Sequence, residues 1–277
     1  MGLTSFDPLY ENAHRTNMRT VRLIVDEPGD GAWNMAVDDV LLAAAAERGE
    51  ATLRFYGWSP ATLSLGYFQA FDAREQHPPS RHCPVVRRAS GGGAIVHDRE
   101  LTYSLALPYE HWREHGRTGL YSLVHRSLCE ALVAVGIEHA RMIGDDNAKL
   151  NERKPAEPPF LCFERRTEFD VVLSPPGTDA PQAAKIAGSA QRSLHRAVLQ
   201  HGSILLARSE FAPSLPGISE IAGTPADGSR LVAAWLPRLA AQLDAAWSPD
   251  EGFADSAKEA ILAAAEKFRS DDWLRRR

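Results

Sequence analysis

The chain has 277 residues, 44% of them hydrophobic and 24% charged, with a net charge of −5 at pH 7. That length allows one large domain or two small ones with a sizeable core, and the acidic balance argues against general nucleic-acid binding. Three cysteines (Cys83, Cys129, Cys162) without a Cys-x-x-Cys spacing predict no disulfide framework. No apolar run reaches membrane-spanning length and no charged-then-apolar segment opens the chain, so the expectation is a soluble protein of the reducing cytoplasm, away from membranes.

In chain order, residues 1–19 are polar and irregular and read as a flexible leader. Residues 20–25 have strand character, and Pro28-Gly-Asp-Gly31 is a turn. Residues 32–48 form an alanine-rich helix bounded by Gly31 and Gly49. Residues 52–58 and 62–66 read as two strands separated by Ser59-Pro60. Short strands follow at 84–88, 94–97 and 101–107, the first two separated by Ser90-Gly-Gly-Gly93. In 119–135, Tyr121, Val124, Leu128, Leu132 and Val135 recur at helical spacing. Residues 144–159 are a polar loop, 168–173 are strand-like, and 174–184 are a turn-rich insert. Residues 185–191 alternate, with Ile186, Gly188 and Ala190 on one face and Lys185, Ser189 and Gln191 on the other. Residues 198–206 read as a buried strand. A stripe of Leu231, Trp235, Leu239 and Leu243 follows, with Pro237 inside it predicting a kink or an early break. A last helix spans about 255–268. Hairpins mixed with flanking helices predict an α+β fold: a mixed or antiparallel sheet flanked by helices. The expected organisation is one domain over 20–277.

Three groups of residues carry candidate chemistry. The run from Arg87 to Asp98 places Arg88, Ser90, Gly91, Gly92, Gly93 and His97 around a glycine turn whose amides can meet an anion or a carbonyl. The other reading is a glycine hairpin with solvated arginines. It is neither a Walker motif nor GxGxxG. Cys162 follows a proline-rich loop and precedes Arg165 and Arg166, and cations raise a thiol's thiolate fraction. Cys83 and Cys129 read as small buried hydrophobes. Lys185, Gly188, Ser189, Ala190, His201 and Gly202 lie in two strand-like runs. Lys185 taken alone is an ordinary surface lysine, and His97 and His201 can be satisfied core histidines. His77, His82 and Cys83, or His111 and His115, lack a further ligand at a telling spacing, so no metal site is expected.

Several motifs together resemble the biotin/lipoate protein ligase catalytic-domain group, in its lipoate branch. They are Trp33-Asn-Met-Ala-Val-Asp38, Thr52-Leu-Arg-Phe-Tyr-Gly-Trp58, Leu63-Ser-Leu-Gly-Tyr-Phe-Gln69, the run from Arg87 to Asp98, Glu100-Leu-Thr-Tyr-Ser104, Lys185-Ile-Ala-Gly-Ser-Ala-Gln191 and Leu199-Gln-His-Gly-Ser-Ile-Leu205. Two activities share that scaffold: ATP-dependent lipoate–protein ligation, and transfer of octanoate from acyl carrier protein through a cysteine to a lysine of a lipoyl domain. The Cys162-Phe163 pair ahead of the lysine run is similar to the cysteine-dependent octanoyltransferases that resemble lipoate–protein ligase A. By that resemblance Cys162 is the acyl-thioester nucleophile and Lys185 the residue that favours its thiolate. The substrate-binding set implied is Arg88, Ser90, Gly91, Gly92, Gly93, His97, Gly188, Ser189, Ala190, His201 and Gly202.

The resemblance covers about residues 20–245, the expected catalytic core, and implies acyl carrier protein as octanoyl donor and a lipoyl domain or glycine-cleavage H protein as acceptor, with no cofactor; no nucleic-acid partner is expected from the charge, and a monomer is the default expectation. Single-chain lipoate ligases usually carry an extra C-terminal domain, and about 70 residues follow Leu206, which favours the transferase. Amides of residues 185–190 and of the glycine loop are expected to hold the oxyanion, and Leu65, Tyr67 and Ile95 to line the acyl slot. The alternatives are an ATP- and magnesium-dependent lipoate–protein ligase and a non-catalytic lipoyl- or biotin-binding module.

Overall fold

Two nine-residue strands, Glu100–Pro108 and Ala197–Leu205, pair antiparallel along their whole length at the middle of the structure. The computed structural model describes residues 18–144, 159–177 and 183–277. The predicted leader up to residue 17, most of the 144–159 loop and the middle of the 174–184 insert lie outside the described residues. Eleven strands are described: β1 (Arg19–Val25), β2 (Thr52–Tyr56), β3 (Thr62–Leu65), β4 (Val85–Arg87), β5 (Ile95–His97), β6 (Glu100–Pro108), β7 (Ala140–Met142), β8 (Val171–Leu173), β9 (Ala184–Leu194), β10 (Ala197–Leu205) and β11 (Ala245–Pro249). The helices are α1 (Gly31–Arg48), α2 (Tyr109–Trp112), α3 (Gly116–Ala134), α4 (Ile218–Ala222), α5 (Gly228–Leu243), α6 (Phe253–Ser256), α7 (Lys258–Arg269) and α8 (Asp271–Leu274).

Eight strands form one sheet in the order β11-β1-β2-β6-β10-β9-β8-β7. β1 runs parallel to both β2 and β11, and the remaining pairs are antiparallel. The expected mixed sheet flanked by helices is therefore present. The runs on either side of Ser59-Pro60 do not pair with each other. β2 joins the large sheet, while β3 joins a small sheet of order β4-β3-β5. Only the last three residues of the strand-like 168–173 segment are strand, because Asp170 N–H turns back to Thr167 O at 3.1 Å.

Helices cover both faces of the large sheet. On one side α3 and α5 bury Leu128, Leu132, Leu231 and Trp235 against Phe55, Tyr103 and Leu105. Trp235 packs its ring 5.1 Å from Tyr103 and donates Nε1–H to Ser127 Oγ at 2.8 Å, so the large aromatic leaves no orphaned donor. On the other side α1 and α7 bury Met35, Leu41, Ile261 and Phe268 against Ile24, Ala106 and Leu199. Asp30 caps α1 by accepting Trp33 N–H at 2.8 Å, an interaction of about 1 kcal/mol. α5 continues to Leu243 without the predicted break at Pro237. Ala233, whose carbonyl would have received the missing bond, and Pro237 are both exposed, while the stripe from Leu231 to Leu243 is buried on the other side. Water can take the place of that bond, and burial of the stripe holds the helix together. Among the described residues no helix is long and apolar enough to cross a membrane.

Candidate active site

A cleft opens where the α1 face of the large sheet meets the small sheet. It encloses about 490 Å³ outside protein atoms, part of it open to solvent. Cys162 lies on its wall, half-buried at the start of a single 3₁₀ turn, Cys162–Glu164. Backbone bonds fix the loop that carries it: Ala94 N–H donates to Phe160 O at 2.9 Å and Cys162 N–H to Ala94 O at 2.8 Å. Lys185 Nζ stands 3.7 Å from Cys162 Sγ and 5.2 Å from the centre of the Phe163 ring. The cation beside the sulfur is thus Lys185. Arg165 meets Cys162 through its backbone, N–H to Cys162 O at 3.4 Å.

Lys185 reaches this position because β9 is irregular. Val171 pairs with Ala187 but Val172 with Lys185, so Ile186 is an extra residue in the ladder. Such a bulge re-aims the side chains before it. The expected common face of Lys185 and Ser189 is accordingly corrected. A β-carbon on Gly188 would lie 2.6 Å from Lys185 Cε and 2.8 Å from Nζ, whereas Ser189 Oγ bonds Tyr103 Oη and His125 Nε2, each at 2.6 Å. Gly188 therefore has to lack a side chain for the ammonium to pass over it.

A carboxylate that the sequence reading did not single out completes the cluster. Asp170 Oδ2 lies 2.9 Å from Lys185 Nζ, with the two side chains 1% and 3% exposed. An isolated charge at such depth would be costly, and the pairing offsets that cost. Tyr121 and His125 of α3 were also missed. Tyr121 Oη donates to Ser189 O at 2.7 Å and accepts Ser189 N–H at 2.9 Å. His125 Nδ1 donates to Phe169 O at 2.6 Å. Burial pushes His125 down to about 4 and Tyr121 above the usual phenol range, so both are neutral near pH 7. With its amide taken by Tyr121, Ser189 offers no backbone donor to an oxyanion.

The predicted substrate-binding residues divide between the cleft and its supports. Gly91, Gly92, Gly188, Ser189, Ala190 and Gly202 line the cleft with Arg88, His97 and His201. Arg88 turns its donors to protein carbonyls: Ser64 O at 2.9 Å, Gly91 O at 3.2 Å and Gly93 O at 2.8 Å. Burial lowers it to about 10, which leaves it charged at neutral pH. It holds the glycine loop by the carbonyls of Gly91 and Gly93. His97 stacks on Trp58 at 3.8 Å and bonds Ser64 Oγ and Glu100 Oε1, each at 2.7 Å. His201 bonds Ser90 Oγ at 2.6 Å and Asp38 Oδ2 at 3.1 Å. Asp38 also receives Arg54 and Ser104, a role the sequence reading did not give it. Ser90, Gly93 and Lys185 stand behind the lining. Of the expected acyl-slot residues only Ile95 borders the cleft. Leu65 is buried in the small-sheet core and Tyr67 packs on Phe68 and Trp273, so the apolar wall comes from Met35, Tyr56, Trp58 and Phe163 instead.

Residues 30–214 match the family model for the lipoyl protein ligase A/B catalytic domain. The chain belongs to that family. It is 31% identical over 286 residues to an octanoyltransferase LipM of Kyrpidia tusciae, covering 92% of this chain and 98% of the relative. It is 35% identical over 193 residues to one of Brevibacillus brevis, covering 68% and 67%. Among solved structures, a lipoate-protein ligase A bound with ATP superposes with a TM-score of 0.65 at 17% identity, over 92% of this chain and 98% of that one. A bipartite lipoate protein ligase of Thermoplasma acidophilum gives 0.63 at 17% identity, over 93% and 96%. These structural likenesses establish the fold. The family membership establishes that the scaffold around Cys162 and Lys185 is the lipoyl ligase A/B catalytic scaffold.

Proposed function

We propose that this protein is an octanoyltransferase of lipoate biosynthesis that carries the acyl group on Cys162. The relatives named octanoyltransferase support the activity, and the observation that carries the mechanism is the 3.7 Å approach of Lys185 Nζ to Cys162 Sγ on the cleft wall. The Cys162 thiolate attacks the thioester carbonyl of octanoyl acyl carrier protein, forming an S–C bond. The donor's C–S bond breaks, and its sulfur leaves with a proton from the Lys185 ammonium. The resulting Lys185 amine takes a proton from the acceptor's lysine ammonium. The freed amine attacks the acyl-enzyme, an amide forms, its second proton goes to water, and the Cys162 thiolate returns. Dividing the transfer in this way gives two steps between activated partners, and neither uses a nucleotide or a metal. Gly91 and Gly92, which border the cleft, offer their amides to the developing oxyanion. Met35, Tyr56, Trp58 and Phe163 enclose the octanoyl chain. The acceptor is a lipoyl domain or a glycine-cleavage H protein.

Intact-mass spectrometry after incubation with octanoyl acyl carrier protein tests this reading. The expected result is a hydroxylamine-sensitive octanoyl adduct that Cys162→Ala abolishes and that a lipoyl domain discharges. No adduct, together with ATP-dependent loading of lipoate onto a lipoyl domain, would overturn it.

A further inference from the structure

Behind Cys162 the contacts continue past Lys185 to Asp170, and the backbone holds that carboxylate in one place. Its Oδ2 accepts Thr167 N–H at 2.7 Å and Thr167 Oγ1 at 3.0 Å in addition to Lys185 Nζ at 2.9 Å. Phe169, the residue before it, has φ +71°, an uncommon conformation for a bulky side chain. Both polar ends of Phe169 are tied. Its N–H donates to Ile143 O at 3.0 Å and its carbonyl accepts His125 Nδ1–H at 2.6 Å. The bulge in β9 and the bare Gly188 bring Lys185 to the carboxylate from the other side. Two irregular backbone segments therefore converge on one buried ion pair, whose free side is the sulfur of Cys162.

We propose that Asp170 is a positioning residue for acyl transfer, one that pairs with the Lys185 ammonium and aims it at the Cys162 sulfur. The inference rests on the acyl-transfer reading. Charge complementarity supplies the reason. A buried ammonium needs an anion beside it to offset its desolvation, and Asp170 at 2.9 Å is the carboxylate that does so for the counter-charge of the Cys162 sulfur. Among the described residues, Tyr121 and His125, facing the cluster from α3, are held neutral by burial, and Arg88, just after β4, stays charged up to about pH 10.

The test is alkylation of Cys162 by iodoacetamide from pH 6 to 10, resolved by peptide so that Cys83 and Cys129 are read apart. Asp170→Asn keeps an oxygen for Thr167 and removes the charge. It is expected to slow Cys162 alkylation at pH 7 roughly tenfold and to move the half-maximal rate to higher pH. It should also lower kcat while leaving the KM for octanoyl acyl carrier protein near the wild-type value. Alkylation equal to wild type across the range would overturn the proposal. If Asp170→Asn does not fold, Thr167→Val removes one bond to Oδ2 and leaves both charges; a two- to threefold slowing of the order expected for one lost hydrogen bond supports the proposal and an unchanged rate overturns it. Absence of an octanoyl adduct in the wild type would sink the acyl-transfer reading, whereas the alkylation profile reports on Asp170 separately.

Discussion

Gly93 sits against the backbone that carries the reactive thiol. A β-carbon there would lie 3.0 Å from Cys162 N, 3.1 Å from Cys162 Cα and 3.1 Å from Phe160 O. These are main-chain atoms already bonded to Ala94, so Gly93→Ala has to displace the Cys162 loop itself. Reacting groups tolerate little misplacement. The octanoyl adduct should therefore form on Cys162 roughly tenfold more slowly in Gly93→Ala, with a melting temperature a few degrees lower. A mass time course at wild-type rate would show that the loop can shift at no cost. At this scale the sequence alone left Cys162 undecided and made Lys185 an ordinary surface lysine. Only the surrounding run of family motifs marked the two together. Asp170 stayed hidden because one aspartate ahead of a short apolar strand looks like any turn residue. The face of Lys185 was misread because strict alternation assumes an unbroken ladder, and a one-residue bulge leaves no mark in the hydrophobic pattern.

Helix α3 shows what periodicity can and cannot reveal about an element. The spacing of Leu128 and Leu132 located the helix, since burial on one face requires it. The same pattern could not show that Tyr121 and His125, four residues apart and so on one face, grip Ser189 and Phe169 across the sheet. Their grip gives the protein a pH-dependent stability. His125 is lowered to about 4 when folded, chiefly by burial, against an ordinary value of 6.5. The unfolded chain thus binds a proton more readily between these values. The contribution of the neutral imidazole is complete above pH 6.5 and is lost as pH falls toward 4. From pH 7 to pH 5 the loss is about 2 kcal/mol. Urea unfolding should register that decline in the wild type and a decline smaller by a similar amount in His125→Gln. His97, shifted in the same direction by burial, stays in both proteins and cancels in the comparison. Equal slopes in the two proteins would assign the pH dependence elsewhere. Pro237 is the converse case. A rule about helix interiors was read correctly but outweighed, because the proline faces solvent and the buried stripe opposite it sustains the helix.

Across the whole molecule, the last residues reach back to the site. Asp39 of α1 receives Lys267 of α7 at 2.7 Å and also Arg192 of β9, which anchors the C-terminal helices to the layer behind the cleft. Beyond them Trp273 Nε1 donates to Arg87 O at 3.0 Å, and the Arg87 guanidinium donates to Leu274 O at 2.9 and 2.7 Å. The same guanidinium donates to Gly66 O at 2.9 Å and Gln69 O at 2.7 Å. Arg87 is fully buried and immediately precedes Arg88 and the glycine loop. It therefore links α8 to the loop that borders Cys162. Nothing in the sequence announces this link: contacts across 187 positions have no period, and an Arg-Arg pair before glycines suggests an anion site as readily as a brace. Deleting residues 271–277 removes the Leu274 acceptor and leaves a buried guanidinium short of partners, a loss of about 1–3 kcal/mol. Because stability is distributed unevenly, the loss should appear locally. Hydrogen exchange at residues 87–93 should accelerate roughly tenfold or more, and the octanoyl adduct should form more slowly, while exchange in α3 and α5 stays as in the full chain. Trp273→Phe, which keeps the ring and removes only the Nε1 bond, should give a smaller change in the same direction. Acceleration spread evenly over the large sheet would mean that α8 supports the fold as a whole. Acceleration confined to residues 87–93 would make it a brace for the site.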